Sequence, residues 1–140
     1  MASAGRGRSL RRLEDRRFLT GRGRYVADAE IPAGCLHAHV LRSPHAHARI
    51  LGIAAEAARA MPGVAAVLTG AELRAEGLAP LPCTVAVQTV GPLIVPPRHA
   101  LALDRVRHVG EPVAVVLAES PAAARDAAAR IEVEYEPLPA

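Results

Sequence analysis

The stretch VAVVLAESPAAARDAAARIEVEYEP, residues 113–137, decides the fold class. Val113 to Ala118 is a continuous apolar run, as expected of a strand buried on both faces. Ser120-Pro121 supplies a helix-capping hydroxyl and then a proline suited to the first helical position. Ala122 to Arg130 is Ala-rich, which favours helix, and its small side chains permit close packing. Ile131, Val133 and Tyr135 then alternate with Glu132, Glu134 and Glu136, the pattern of a half-buried strand with one acidic, solvated face. Strand, helix and strand within about 23 residues predict an α/β or α+β unit.

Working back toward the N-terminus, Val64 to Leu68 is a compact apolar strand. Thr69-Gly70-Ala71-Glu72 has capping-box spacing, so a short helix starts there. Ala54 to Met61 reads as a helix ended by Pro62-Gly63. Ala48 to Ile53 reads as a short strand, and Leu36 to Leu41 alternates enough to be another, stopped by Pro44. Asp28 to Gly34 is turn-rich. Residues 77–98 hold Gly77, Pro80, Pro82, Gly91, Pro92, Pro96 and Pro97 and read as a long loop of the kind that lines a site or an interface.

Composition narrows the function classes. The chain has 140 residues, 51 % of them hydrophobic and 22 % charged, enough for one domain with a real core. All 17 basic residues are Arg, aromatics are 2 %, and there is no Lys. That pattern reads as composition bias, and it excludes a Walker A lysine and a Schiff-base lysine. No apolar stretch is long enough for a transmembrane helix. The basic N-terminus is followed by no apolar h-region, so a secretory signal is not expected, and a cytoplasmic location is. Residues 1–24 carry eight Arg against Glu14 and Asp15, a net +6 on a mildly acidic remainder. Such an arm suits a partner protein; nucleic acid is disfavoured by the lack of interleaved aromatics and of any DNA-binding motif.

Several constellations bear on chemistry. His37 and His39 share a strand face, and His45 and His47 follow closely, but no carboxylate or thiolate sits at ligand spacing, so polar strand and turn roles are expected. Cys35 and Cys83 form no CxxC pair. Ser43 and Ser120 lack a G-x-S-x-G elbow, and turn and cap roles explain them. Gly21-Arg22-Gly23 lacks the third glycine and the preceding strand of a dinucleotide fingerprint. Glu111 sits at the start of the buried run and is expected to be a turn glutamate facing water.

Four segments, taken in order, carry a resemblance. They are Arg12-Leu13-Glu14-Asp15 leading to Thr20-Gly21-Arg22-Gly23-Arg24-Tyr25-Val26 and Asp28; Leu41-Arg42-Ser43-Pro44-His45-Ala46-His47-Ala48-Arg49-Ile50; Met61-Pro62-Gly63-Val64 through Val67-Leu68-Thr69-Gly70-Ala71-Glu72-Leu73; and Arg105 to Val116, closing with Tyr135-Glu136-Pro137-Leu138-Pro139. Together they resemble the N-terminal a/b hammerhead domain of the molybdenum hydroxylase large subunit, the xanthine dehydrogenase, aldehyde oxidase and aerobic carbon monoxide dehydrogenase family. The flavour is nearest the bacterial carbon monoxide dehydrogenase-like branch.

The resemblance implies an α+β fold, a small sheet packed with a few short helices, with a basic arm over residues 1–19 and the hammerhead domain over 20–140. It implies a structural, non-catalytic domain of a larger oxidoreductase. The molybdopterin-binding region, two [2Fe-2S] clusters and usually FAD would lie in other regions or subunits. The chain stops at Ala140, before the family's catalytic glutamate and cofactor motifs, so no catalytic, cofactor or metal residue carries over. The structural positions that match are Gly21, Gly23, Tyr25 and Asp28; Arg42, Ser43, Pro44 and Ala46; and Gly110 and Pro112. Gly110 suits a positive φ, and Pro112 suits the rigid start of a strand. Residues 77–98 would border the substrate entrance. The rival readings are a free-standing binding module of the same fold and nucleic-acid contact through the arm.

Overall fold

In a computed structural model, residues 11–84 and 91–139 are described. Residues 85–90 of the proline-rich loop and the first ten residues of the arm lie outside that range. The chain forms two compact units, Met1–Ala33 and Gly34–Ala140.

The first unit contains a short helix, α1 (Asp15–Leu19), and a 3-10 turn at Val26–Asp28. Helix α1 falls within the stretch expected as a basic arm, and among the described residues it is the arm's one helix. Its first turn carries Asp15 and its last turn Arg16 and Arg17, which complements the helix dipole. The Thr20 hydroxyl donates to the Arg16 carbonyl at 2.7 Å and ends it. The Phe18 and Tyr25 rings stack at 5.9 Å.

The second unit holds two three-stranded antiparallel sheets. One has the order β1 (His37–Arg42), β5 (Pro112–Ala118), β3 (Val64–Thr69); the other has β4 (Arg105–Val106), β2 (Ala48–Ala54), β6 (Glu132–Pro137). Short helices α2 (Glu56–Arg59), α3 (Gly70–Ala75) and α4 (Pro121–Ala128) connect and cover them. The strand–helix–strand stretch therefore spans both sheets, with α4 carrying the chain from β5 to β6.

The apolar run Val113 to Ala118 owes its pattern to this position. On one face Ala114, Val116 and Ala118 join Val67 and the α4 alanines Ala124, Ala127 and Ala128 in one buried cluster. On the other, Val113 joins Ala48, Ala102 and Val106 in a second. Ile53 and Val133 pack against both clusters and tie the sheets together. The alanines let α4 lie close on β1 and β5.

Local signals are realised at both caps. The Thr69 hydroxyl accepts from the Glu72 N–H, while the Glu72 carboxylate accepts from the Thr69 N–H at 2.7 Å. The Ser120 hydroxyl accepts from the Ala123 N–H at 3.1 Å, with Pro121 at the first helical position. The expected helix over Ala54–Met61 is only one turn, Glu56–Arg59. Ala54 is held as strand by pairing with Glu132, and this ladder overrides the helix preference of the alanines. Within the 77–98 loop, the Leu81 N–H donates to the Arg98 carbonyl at 2.7 Å, an isolated bridge that closes its base. No helix among the described residues is long and apolar enough to cross a membrane.

Candidate functional site

The structure brings two of the quoted segments together. β1 ends at Arg42, opposite Pro112 at the start of β5, and the chain then turns through Ser43 and Pro44. The Ser43 N–H donates to the Glu111 carbonyl at 2.9 Å, and the Gly110 N–H donates to the Ser43 carbonyl at 2.8 Å. The Arg42 guanidinium donates to the Gly110 carbonyl at 2.9 Å. The two turns thus interlock although they lie 68 residues apart. Gly110 has φ +85°, which side-chain-bearing residues rarely adopt.

Ser43 is 2 % exposed. Its hydroxyl accepts from the His45 N–H at 3.0 Å, closing a serine turn. The Tyr135 phenol from β6 lies beside it. The His45 ring lies 4.8 Å from the Tyr135 ring. Burial raises the Tyr135 pKa above 10.0, and the neighbouring Ser43 side chain works against that rise. Pro44 and Ala46 lie exposed on the outside of this turn. His47 continues the seam, with Nδ1 2.6 Å from the Pro139 carbonyl and its own carbonyl accepting from the Leu138 N–H.

Glu111 departs from its expected role. Its carboxylate is only 16 % exposed; it accepts the Arg107 N–H and lies 3.6 Å from His108 Nδ1. It closes the turn that presents Gly110 and does not simply face water.

In the first unit, the matched positions form one local knot. Gly21 has φ +67°, and a Cβ on Gly23 would stand 3.0 Å from the Phe18 ring. The Tyr25 N–H donates to the Asp28 carboxylate at 2.9 Å, fixing the 3-10 turn.

The four clustered histidines do not gather. His37 and His39 pair with Ala118 and Val116 and so face the α4 side of their sheet, while His45 and His47 go to Tyr135 and Pro139. Among the described residues no group of three or more His, Cys, Asp or Glu is placed to hold a metal ion. The chain's two cysteines, Cys35 and Cys83, cannot supply the four thiolates of a [2Fe-2S] cluster, so the residues present do not fit that group. The Ser43 hydroxyl is bonded to the His45 backbone and to no imidazole among the described residues, so it lacks the base that would activate a nucleophile. This arrangement is an internal latch between strands.

Sequence reasoning missed Tyr135 as the partner of Ser43 and His45. Its alternation on β6 signals a half-buried side chain, but nothing local names a partner 92 residues away.

An α+β domain of two small sheets latched by these turns matches a known class. The chain belongs to the family described as "Aldehyde oxidase and xanthine dehydrogenase, a/b hammerhead domain", whose sequence model matches residues 20–139. It is 44 % identical over 132 residues to the nicotine 6-hydroxylase large subunit of Paenarthrobacter nicotinovorans, covering 94 % of this chain and 16 % of that protein. Among solved structures, quinoline 2-oxidoreductase from Pseudomonas putida 86 superposes with a TM-score of 0.79 at 49 % identity, over 96 % of this chain and 16 % of that one. A Cu,Mo carbon monoxide dehydrogenase superposes with a TM-score of 0.76 at 40 % identity, over 95 % of this chain and 16 % of that one. The chain therefore spans about one sixth of the length of these relatives.

Proposed function

We propose that this chain is a structural, non-catalytic domain of a molybdenum-cofactor hydroxylase large subunit and packs against the molybdopterin-binding region of that subunit. The observation that carries the reading is coverage: nearly the whole chain aligns with one sixth of a relative named as a hydroxylase large subunit. The polar groups of its most buried turn are spent on internal bonds, which supports a structural role. The 77–98 segment leaves Leu78, Leu81, Leu93, Ile94 and Val95 exposed, an apolar surface that calls for a cover. We place that segment beside the substrate entrance. Residues 1–19 are taken as a basic arm toward a partner and 20–140 as the hammerhead domain, with Gly21, Gly23, Tyr25, Asp28, Arg42, Ser43, Pro44, Ala46, Gly110 and Pro112 as its structural motif. Molybdopterin, [2Fe-2S] clusters and FAD belong to the rest of the assembly, which we place in the cytoplasm.

The test is assembly. The 140-residue chain is expected to co-elute with the complementary large-subunit region, and only that assembly, with its iron–sulfur and FAD subunits, is expected to hydroxylate substrate. The chain by itself is expected to purify without stoichiometric molybdenum, iron or flavin, measured by elemental analysis and visible absorption. Failure to associate with the complementary region would sink the reading.

A further inference from the structure

A cleft of about 310 Å³ opens between the 96–102 segment and the 107–112 turn. Its walls are held by backbone bonds: Leu81 N–H to Arg98 carbonyl at 2.7 Å, Ala102 N–H to Pro112 carbonyl at 2.8 Å, and Glu111 N–H to His108 carbonyl at 3.2 Å. Leu81, Ala102 and Pro112 give it an apolar lining. Its size is at the lower end of small-molecule sites, which combine such linings with a few placed polar groups.

The charge around the cleft is one-sided. Arg98, His99, Arg107 and His108 line it, against a single carboxylate, Glu111. That carboxylate is already engaged by the Arg107 N–H and faces His108, so it offers little to a cation. The Arg107 guanidinium is held loosely, 3.4 Å from the Arg105 carbonyl and 3.9 Å from Asp104. The Arg98 guanidinium and the His99 imidazole have no side-chain partner among the described residues. A guanidinium with spare donors beside an apolar wall is complementary to a planar or tetrahedral oxyanion.

We propose that this cleft binds a compact organic oxyanion, a carboxylate or phosphate carried on a small apolar body, with Arg98 and Arg107 as its charge partners. This site lies outside the Arg42–Gly110 latch and shares Leu81 and Arg98 with the 77–98 segment.

The experiment follows the His99 and His108 imidazole resonances of the 140-residue chain by NMR at low ionic strength, titrating with benzoate and, separately, inorganic phosphate. Saturable shifts confined to these two histidines are expected, with His37 and His39 unmoved. Arg98→Gln and Arg107→Gln are each expected to weaken binding about tenfold, the scale of one charge-assisted hydrogen bond, with unchanged spectra elsewhere. Arg125→Gln, on α4, is the control expected to bind as the unmodified chain does. Saturation by either probe with loss in the Arg98 variant supports the site, and the probe that saturates tells carboxylate from phosphate. Binding by the Arg98 and Arg107 variants as tight as that of the unmodified chain overturns it. So does the absence of saturation by both probes, including the case where an acidic peptide binds instead.

Discussion

Gly70 stands where α3 meets the 101–102 segment, and a Cβ there would lie 2.3 Å from the Ala102 carbonyl oxygen. Backbone on both sides leaves no flexible side chain to give way. Gly70→Ala is therefore expected to lose about 1–3 kcal/mol, read as a lower urea midpoint at unchanged slope. Tyr135 gives the residue-scale pH dependence. Its phenol is held protonated by burial, so its folded-state pKa lies above the usual 10.0. Below the unfolded value both states are protonated and this contribution to stability is intact. As pH rises through 10 toward the folded value, only the unfolded chain ionises and the contribution is lost. In a Tyr25→Phe background, ultraviolet titration is expected to place the remaining phenol's midpoint above 10.0. Tyr135→Phe is expected to make the alkaline fall in stability shallower.

At the scale of elements, α4 depends on its start. The Ser120 hydroxyl is bonded to the Ala123 N–H, and Ser120→Ala is expected to cost about 1 kcal/mol by urea unfolding. This cap was legible because its determinants lie within three residues of one another. The same is true of the Thr69–Glu72 box and of the alternation in β6. The shortened helix at Glu56–Arg59 was not legible, since the competing claim on Ala54 comes from Glu132 on another strand. Helix α1 was masked by its charge: three of its five residues are charged and Glu14 precedes them, so the stretch reads as a solvated arm, and the stacking of Phe18 on Tyr25 becomes visible only in three dimensions. Glu111 was read as a solvated turn residue because the N–H that it accepts belongs to the backbone, which carries no sequence signature.

For the whole molecule, the motifs were legible and their meeting was not. Arg42-Ser43 and Gly110 each read as a turn, yet only the pairing of β1 with β5 brings them into one latch. The same ordering of strands has a consequence for how the chain is made. β1 and β3 each find their sheet partner only in β5, and β2 finds its longer partner only in β6. On the ribosome, strand β1 must wait about seventy residues for β5, some 4–14 s at ordinary elongation speeds of ~5–20 residues per second. Throughout that interval the nascent chain displays unpaired strands with nothing to close them. Until β5 emerges, the nascent segment is a natural client for holdase chaperones, and closure of the first sheet is set by the synthesis of residues 112–118.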